Sequence, residues 1–310
     1  MDKRKLFVQF PRLYNLYSAL QFSKRYLKNM YYKSLNEKKY PTVLAKMYKK
    51  RMGQDLDWNN LTTYNEKMQW VKLYDNDPLK AVLTDKYQVR DWIKNTIGEQ
   101  YLIPLLGVWD NFDEIDFELL PQQFVLKTNN ACGTNLIVKD KNKLDRIKAK
   151  KQFNRWMKIN FAFVGFEMHY KDIKPKIIAE TFMEDSNGEL KDFKFLCFNG
   201  EVHYCWVDID RFNDRRRNVY NLNWELQEWT QHQFKNTDFP VPKPNNFELM
   251  VDLAKKLCQG FTHVRVDFYN VDGKIYFGEM TFTSGSGFVK ITPEQYSVIL
   301  GQMWKLPINE

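Results

Sequence analysis

The chemistry-bearing residues gather in one stretch, residues 263–287, which read HVRVDFYNVDGKIYFGEMTFTSGSG. From 263 to 269 the chain alternates, with Val264, Val266 and Phe268 on one side and Arg265, Asp267 and Tyr269 on the other. That period of two predicts a strand. Residues 270–273 (Asn-Val-Asp-Gly) have turn chemistry and 274–281 form a second β-rich run, so the stretch is a hairpin with an acid on each arm. Asp267 and Glu279 share a face only if the loop has an odd length; a three-residue loop (271–273) satisfies this and a two-residue Asp-Gly turn does not. On one face the two are diagonal neighbours, roughly 7–8 Å apart. Two such carboxylates can bracket a hard cation such as Mg2+ that keeps phosphate oxygens as its other partners. Arg265, beside Asp267, can neutralise phosphate charge. A solvated hairpin with ordinary surface charges fits the same pattern, and the residue types alone leave both readings open.

Several elements must hold this hairpin in place. A helix over 247–258, with Phe247, Met250, Val251, Ala254, Leu257 and Cys258 on one face, stops at Gly260 and leads directly into it. Residues 192–198 alternate, Asn199-Gly200 is a type I′ hairpin signal, and 201–208 return. Lys194 lies on the Asp192 side of that strand, away from Phe193, Phe195 and Cys197. Strands over 124–127 and 136–138 flank a loop of small and amide residues, TNNACGTN at 128–135. Such a loop can cover a polyphosphate with backbone N–H groups, or be a plain turn. Residues 176–182 read as a buried strand, and 101–109, interrupted by Pro104, as an edge strand or loop.

Helices account for most of the rest. A basic helix covers 12–34, Thr63 and Glu66 form a capping box opening a helix through Tyr74, and Asp77-Pro78 opens one over 79–97. A further helix over 144–160 has Leu144, Ile147, Phe153, Trp156 and Met157 as its core face. Asn65, Glu66, Lys67 and Arg90 read as solvated, as does the charged run 214–217.

The chain has 310 residues, 44% of them hydrophobic and 16% aromatic, enough for a substantial core and against global disorder. No run of eighteen apolar residues predicts a transmembrane helix, and the first residues do not read as a signal peptide. Four scattered cysteines without paired spacing point to a reducing compartment and away from structural zinc. The net charge of +9 is uneven, because residues 1–50 alone carry +11. They also hold many aromatics, among them Phe7, Phe10, Tyr14 and Tyr17. Basic and aromatic together suit an anionic membrane or a polyanionic substrate, or a terminal helix packed on the body. No nucleic-acid recognition motif is present.

ArgValAsp at 265–267, a turn, GluMetThr at 279–281 and a Gly/Ser loop resemble the R-x-D…E-x-N signature of ATP-grasp enzymes. From about residue 40 to the C-terminus the chain resembles the TupA-like ATP-grasp proteins of polysaccharide biosynthesis. The blocks LTTYNEKMQW (61–70), TDKYQVR (84–90), YLIPLLGVWD (101–110), FVLKTNNACGTN (124–135), IIAETF (177–182), DFKFLCFNGE (192–201) and FGEMTFTSGSGF (277–288) carry the likeness in order. The resemblance implies an α+β, ATP-grasp fold, two α+β subdomains gripping a nucleotide between antiparallel sheets. The expected division is a basic aromatic extension over 1–50, a helical region over 51–120 and the ATP-grasp domain over 121–310.

It also implies roles. Lys127 and Lys194 hold nucleotide phosphates, and Asn130, Gly133 and Thr134 belong to the loop that closes over them. Glu180, Thr181 and Phe182 form the adenine hinge, with Glu184 or Asp185 near the ribose. Asp267 and Glu279 hold Mg2+, assisted by Thr281, which replaces the usual Asn. Arg265 stabilises the transferring phosphoryl group alongside Lys194. The substrate lies near Ser284, Gly285, Ser286 and Gly287. The implied activity is an ATP- and Mg2+-dependent carboxylate–amine ligase on the cytoplasmic side, acting on a glycan or lipid-linked glycan acid and an amine. Two other readings remain: a glycosyltransferase using Asp208-Ile209-Asp210 as a DxD pair, and a non-catalytic membrane-associated scaffold.

Overall fold

The computed structural model describes residues 11–188, 190–209 and 216–308, the side chains of 11–16 excepted. Phe7, Phe10, the side chain of Tyr14, Asp210 and residues 214–215, named above, lie outside that description. Helix α1 spans Pro11–Ser34 and α2 Tyr40–Met52, with Pro41 in the first turn, where its missing N–H costs nothing. Thr63 and Glu66 make the reciprocal capping box and open α3 (Tyr64–Tyr74). Asp77 caps α4 (Pro78–Thr84) by accepting from the Leu79 amide. The single helix expected over 79–97 is two, because α5 spans Val89–Thr96. Asp85 makes the break: its carboxylate accepts the amides of Tyr87 and Gln88, a local bond that competes with helix continuation.

The first sheet is antiparallel, in the order β1-β4-β2-β3, from β1 (Leu105–Trp109), β2 (Phe124–Thr128), β3 (Asn135–Val138) and β4 (Ile177–Thr181). β1 takes the edge, where the preceding Pro104 is tolerated. Between β3 and β4 lie α6 (Arg146–Trp156) and the short α7 (Ala162–Gly165). α6 packs Ala149 and Phe153 on the sheet, against Phe112, Phe124, Leu126 and Ala179. Ile147, expected on that face, is 84% exposed. It lies two residues from Ala149, about 200° around the helix.

The second sheet, in the order β10-β9-β5-β6-β7, comprises β5 (Lys191–Phe198), β6 (Glu201–Ile209), β7 (Arg216–Asn221), β9 (His263–Val271) and β10 (Lys274–Thr281). β8 (Thr230–Gln231) pairs with β11 (Ile291–Thr292) in a separate two-stranded sheet. Asn199 and Gly200 both take positive φ, as the type I′ turn between β5 and β6 requires. Helix α8 (Phe247–Leu257) covers the apolar face, packing Phe247, Met250, Leu253 and Ala254 on Phe195, Val264, Val266 and Phe268. Each fully buried phenylalanine there contributes on the order of 1.5–3 kcal/mol. The other face is divided. α3 and α9 (Gln295–Met303) cover its apolar end, Leu196, Phe198 and Trp206, with Tyr64, Met68, Leu300 and Trp304. Its other end is lined with charge.

Four residues expected in solvent are tied down. Asn65 donates to the carbonyls of Gly287 and Val289, and Lys67 to those of Gly301 and Trp304. Arg90 donates to Ile103 and pairs with Glu180. Arg217 lies in β7 and is 3% exposed. The partners of Asn65 and Lys67 lie more than two hundred residues away in sequence, so a local pattern could not reveal them.

Candidate active site

The hairpin turn has two residues. Val271 pairs with Lys274, which leaves Asp272 and Gly273, both at positive φ. A uniform ladder would then set Asp267 and Glu279 on opposite faces. Instead the register slips between Phe277 and Glu279, leaving Gly278 as the extra residue of a β-bulge. Glu279 therefore stands directly opposite Asp267, and Thr281 opposite Arg265, rather than on the expected diagonal. Glycine suits the bulge, since a Cβ at Gly278 would lie 3.1 Å from the Asp267 carbonyl oxygen.

Arg265 is the centre of the cluster. Its Nε bonds Asp267 Oδ1 at 2.6 Å, and its Nη1 bonds Ser284 Oγ at 3.0 Å. Nη2 alone reaches three oxygens: Asp267 Oδ2 at 2.7 Å, Glu279 Oε1 at 2.9 Å and Thr281 Oγ1 at 3.1 Å. From β5, Lys194 Nζ donates to Asp267 Oδ2 at 2.7 Å and to Asp192 Oδ2 at 2.6 Å. Asp208 Oδ2 is 3.9 Å from the same ammonium, and Arg217 grips Asp208 through Nε and Nη2 at 2.6 and 2.8 Å. A row of alternating charges thus crosses strands β7, β6, β5, β9 and β10. Asp192 and Arg217 were not among the expected site residues. Asp192 was legible as the strand neighbour two positions from Lys194; Arg217 was hidden in a run that read as loop.

These charges set one another. Burial disfavours the Glu279 carboxylate, but Arg265, Lys86 and Lys194 outweigh it and hold its pKa down at about 2. Burial likewise opposes the Lys194 ammonium, and Asp192 and Asp267 more than offset it, raising its pKa. Asp267, only 1% exposed, is pushed up by burial despite Arg265 and Lys194. Glu279 is the outward-facing member of the pair, its side chain 36% exposed. Asp208 of the DxD pair is fully buried and bound by Arg217, so it is not presented to a nucleotide-sugar metal.

The expected adenine-binding residues line a narrow cleft of about 60 Å³ between the sheets. Val125, Lys127, Ile137, Glu180 and Thr181 come from the first sheet and Tyr269 from the second, with Phe182 between. Lys127 Nζ pairs with Glu180 Oε2 at 2.5 Å. Glu184 pairs with Lys139, whose ammonium lies over the Phe182 ring, whereas Asp185 accepts the Asn187 amide within its own turn. Larger cavities, about 680 and 690 Å³, lie beside α6 and between α2 and α4, away from the acid pair.

Two loops close on the cluster. In 128–135, Thr134 Oγ1 and Thr128 Oγ1 are 2.6 Å apart, Lys86 Nζ holds the Ala131 carbonyl, and Gly133 takes φ of 70°. Asn130 is buried with its side-chain oxygen unpartnered. Around 284–287, Gln69 and Asn65 hold the Gly287 carbonyl and Lys72 the Ser286 carbonyl. Gly285, Ser286 and Gly287 all have positive φ. Buried Glu167 accepts from Thr283 at 2.5 Å, and no periodicity marked it in the sequence.

The donor set fits a hard divalent cation. Two carboxylates and a hydroxyl already converge on one positive centre, Arg265 Nη2. An all-oxygen set with few protein ligands suits Mg2+, which keeps phosphates and water as further partners. Among the described residues no group of three or more His, Cys, Asp or Glu could hold a metal, so a bound ion needs those outside partners.

The family model for TupA-like ATPgrasp matches residues 66–305, which include both sheets and the acid hairpin. No curated protein matches the sequence. Similar solved structures include D-alanine–D-alanine ligase from Helicobacter pylori, 16% identical with a TM-score of 0.38, over 72% of this chain and 62% of that one. D-alanine–D-alanine ligase from Bacillus anthracis complexed with ATP is 13% identical with a TM-score of 0.42, over 77% and 80%. D-alanyl-alanine synthetase A from Vibrio cholerae O1 biovar eltor str. N16961 is 10% identical with a TM-score of 0.42, over 77% and 62%. The chain spans less than two thirds of the Helicobacter and Vibrio proteins, and likenesses this weak carry no argument beside the family match. On that match the chain belongs to the TupA-like ATP-grasp family, a branch of the ATP-dependent, Mg2+-using ATP-grasp enzymes.

Proposed function

We propose that the chain joins a carboxylate to an amine with ATP, in the assembly of a surface polysaccharide at the cytoplasmic side of the membrane. The acid is a sugar acid on a glycan or its lipid-linked precursor. A carboxylate is a poor electrophile; transfer of the ATP γ-phosphoryl group to it gives an acyl phosphate, and attack by the amine expels phosphate. The protein must position and neutralise rather than supply a nucleophile.

The reading rests above all on the convergence of Asp267, Glu279 and Thr281 on Arg265 Nη2. Asp267 and Glu279, with Thr281, would hold Mg2+, which neutralises phosphate charge when bound. Lys127 and Lys194 come from different sheets and would grip the phosphates from two sides. Arg265 would release the acids to the ion and turn its charge to the transferring group. Asn130, Gly133 and Thr134 would cover the phosphates, and Glu180, Thr181 and Phe182 would flank the base, with Glu184 or Asp185 near the ribose. Loop 284–287 would receive the acid, with Ser284 Oγ bonded to Arg265. Residues 121–310 form the ATP-grasp body in this reading, and 51–120 the helical region that braces it.

A thermal shift with ATP–Mg2+ against UDP-sugars tests it. A ligand at 100 times its Kd adds about 2.7 kcal/mol of stability. The expected result is stabilisation by ATP–Mg2+ that Asp267→Asn abolishes. Stabilisation by a UDP-sugar alone, or by neither, would overturn the reading.

A further inference from the structure

Helix α1 shows two unlike faces. Its inner face is pinned to the body at three points. Asn29 and Asn160 exchange two hydrogen bonds, at 2.7 and 3.2 Å. Tyr32 packs on Phe166 with ring centroids 5.1 Å apart. Arg155 bonds Ser18 Oγ at 3.1 Å and lies over the Phe22 ring. The outer face is apolar and uncovered by the described residues: Leu20 is 53% exposed, Leu27 67% and Tyr31 59%. Their spacing, i, i+7 and i+11, aligns them in one stripe along the helix. Met30 and Tyr17, 50% and 44% exposed, flank it.

Lysines interleave with the stripe. Lys24 stands four residues after Leu20, and Lys28 beside Leu27, both exposed. Between residues 17 and 34 the helix carries Lys24, Arg25, Lys28 and Lys33 and no acid. Among the described residues no helix is long and apolar enough to cross a membrane. An apolar stripe bordered by lysines is the pattern of a helix lying in the plane of a lipid interface, where the stems and heads of the lysines reach the phosphates. A second copy of the chain would set these cations against one another with no acid on the face to pair them.

We propose that the outer face of α1 docks on an anionic lipid bilayer, with Leu20, Leu27 and Tyr31 in the headgroup boundary and Lys24 and Lys28 on lipid phosphates. The contact needs no nucleotide, so it stands or falls apart from the ligase reading. It has a geometric consequence. Behind α1 lies α7, and Gly165 of α7 abuts the loop at 284–287 so closely that a Cβ there would come 2.2 Å from Ser286 Oγ. A bilayer against α1 therefore brings that loop within one helix layer of the lipid-facing element.

Full-length protein would be sedimented with vesicles of phosphatidylglycerol and phosphatidylcholine, and with phosphatidylcholine alone. The expected result is binding to the anionic vesicles only, weakened by salt. Both Leu20→Ser/Leu27→Ser/Tyr31→Ser and Lys24→Glu/Lys28→Glu should bind at least tenfold more weakly, with unchanged urea midpoints, since all five residues are exposed. Equal sedimentation of wild type and either variant would overturn the proposal. So would equal binding to neutral vesicles, or no binding to either. A dimer that the serine variant dissolves, without vesicle binding, would assign the face to a second copy and also overturn it.

Discussion

Glu279 faces Asp267 across β9 and β10 because one residue, Gly278, is left over between them. The two-residue turn would otherwise aim the acids to opposite sides of the sheet, and the bulge restores the parity. A side chain at 278 must push on the Asp267 carbonyl, 3.1 Å from the Cβ position, and on the Tyr269 ring at 3.3 Å. Gly278→Val should therefore cost about 1–3 kcal/mol, as overpacking does. It should also remove most of the ATP–Mg2+ thermal shift, because the carboxylates no longer meet. Retention of the full shift by a folded Gly278→Val protein would show that the bulge does not place the acids.

The hairpin, its acids and the Asn199-Gly200 turn were legible because period-two patterning and turn residues are local signals. The bulge was not: nothing in FGEM distinguishes a glycine in a strand from a glycine left out of the ladder. The break at Asp85 hid for a similar reason, since its carboxylate serves two amides inside a stretch whose spacing continues as helix. Lys194 was readable from its alternation with Phe193 and Phe195, but its partner Asp208 belongs to a strand pairing. Arg217 was masked by neighbours that read as a charged loop, although the β6 pairing buries it. Asn65, Gln69 and Lys72 hold the loop at 284–287 over more than two hundred residues of chain, a distance no local pattern spans.

Arg217 and Asp208 form a buried bidentate pair on the flank of Lys194. Arg217→Met leaves a fully buried carboxylate without its main partner, which should destabilise by about 3–5 kcal/mol. The Lys194 ammonium, already 3.9 Å from Asp208, would be drawn toward that carboxylate and away from Asp267. The KM for ATP should then rise more than kcat falls. Removing both charges, in Asp208→Asn/Arg217→Met, should recover more than half of the lost stability, because the penalty is the unpaired charge. Urea melts of the single and double variants decide it; equal instability of the two would refute the pairing account.

His263 supplies the pH dependence. It lies two residues before Arg265, 2% exposed, with Nδ1 2.7 Å from the Cys197 carbonyl and Nε2 3.1 Å from the Tyr64 hydroxyl. That pairing suits the neutral ring, which donates from Nδ1 and accepts at Nε2; a second proton would expel the Tyr64 donor. Burial drives its pKa down to about 3, helped by Lys80 and Arg265 and opposed by the bond to Cys197. The unfolded chain therefore takes up a proton near pH 6.5 that the folded chain refuses until about pH 3. The contribution of His263 is full above pH 6.5 and falls as the pH drops through that window. At 1.36 kcal/mol per unit, His263 accounts for about 2 kcal/mol lost by pH 5. His169, also lowered to about 3, adds in the same direction, whereas Glu279 contributes only from about 4.5 downward. His263→Phe should lower stability at pH 7 by about 1–3 kcal/mol, because Tyr64 and Cys197 lose a partner. It should also halve the drop between pH 7 and pH 5. Urea midpoints at the two pH values measure both effects, and a variant with the wild-type slope would move the acid sensitivity to another group.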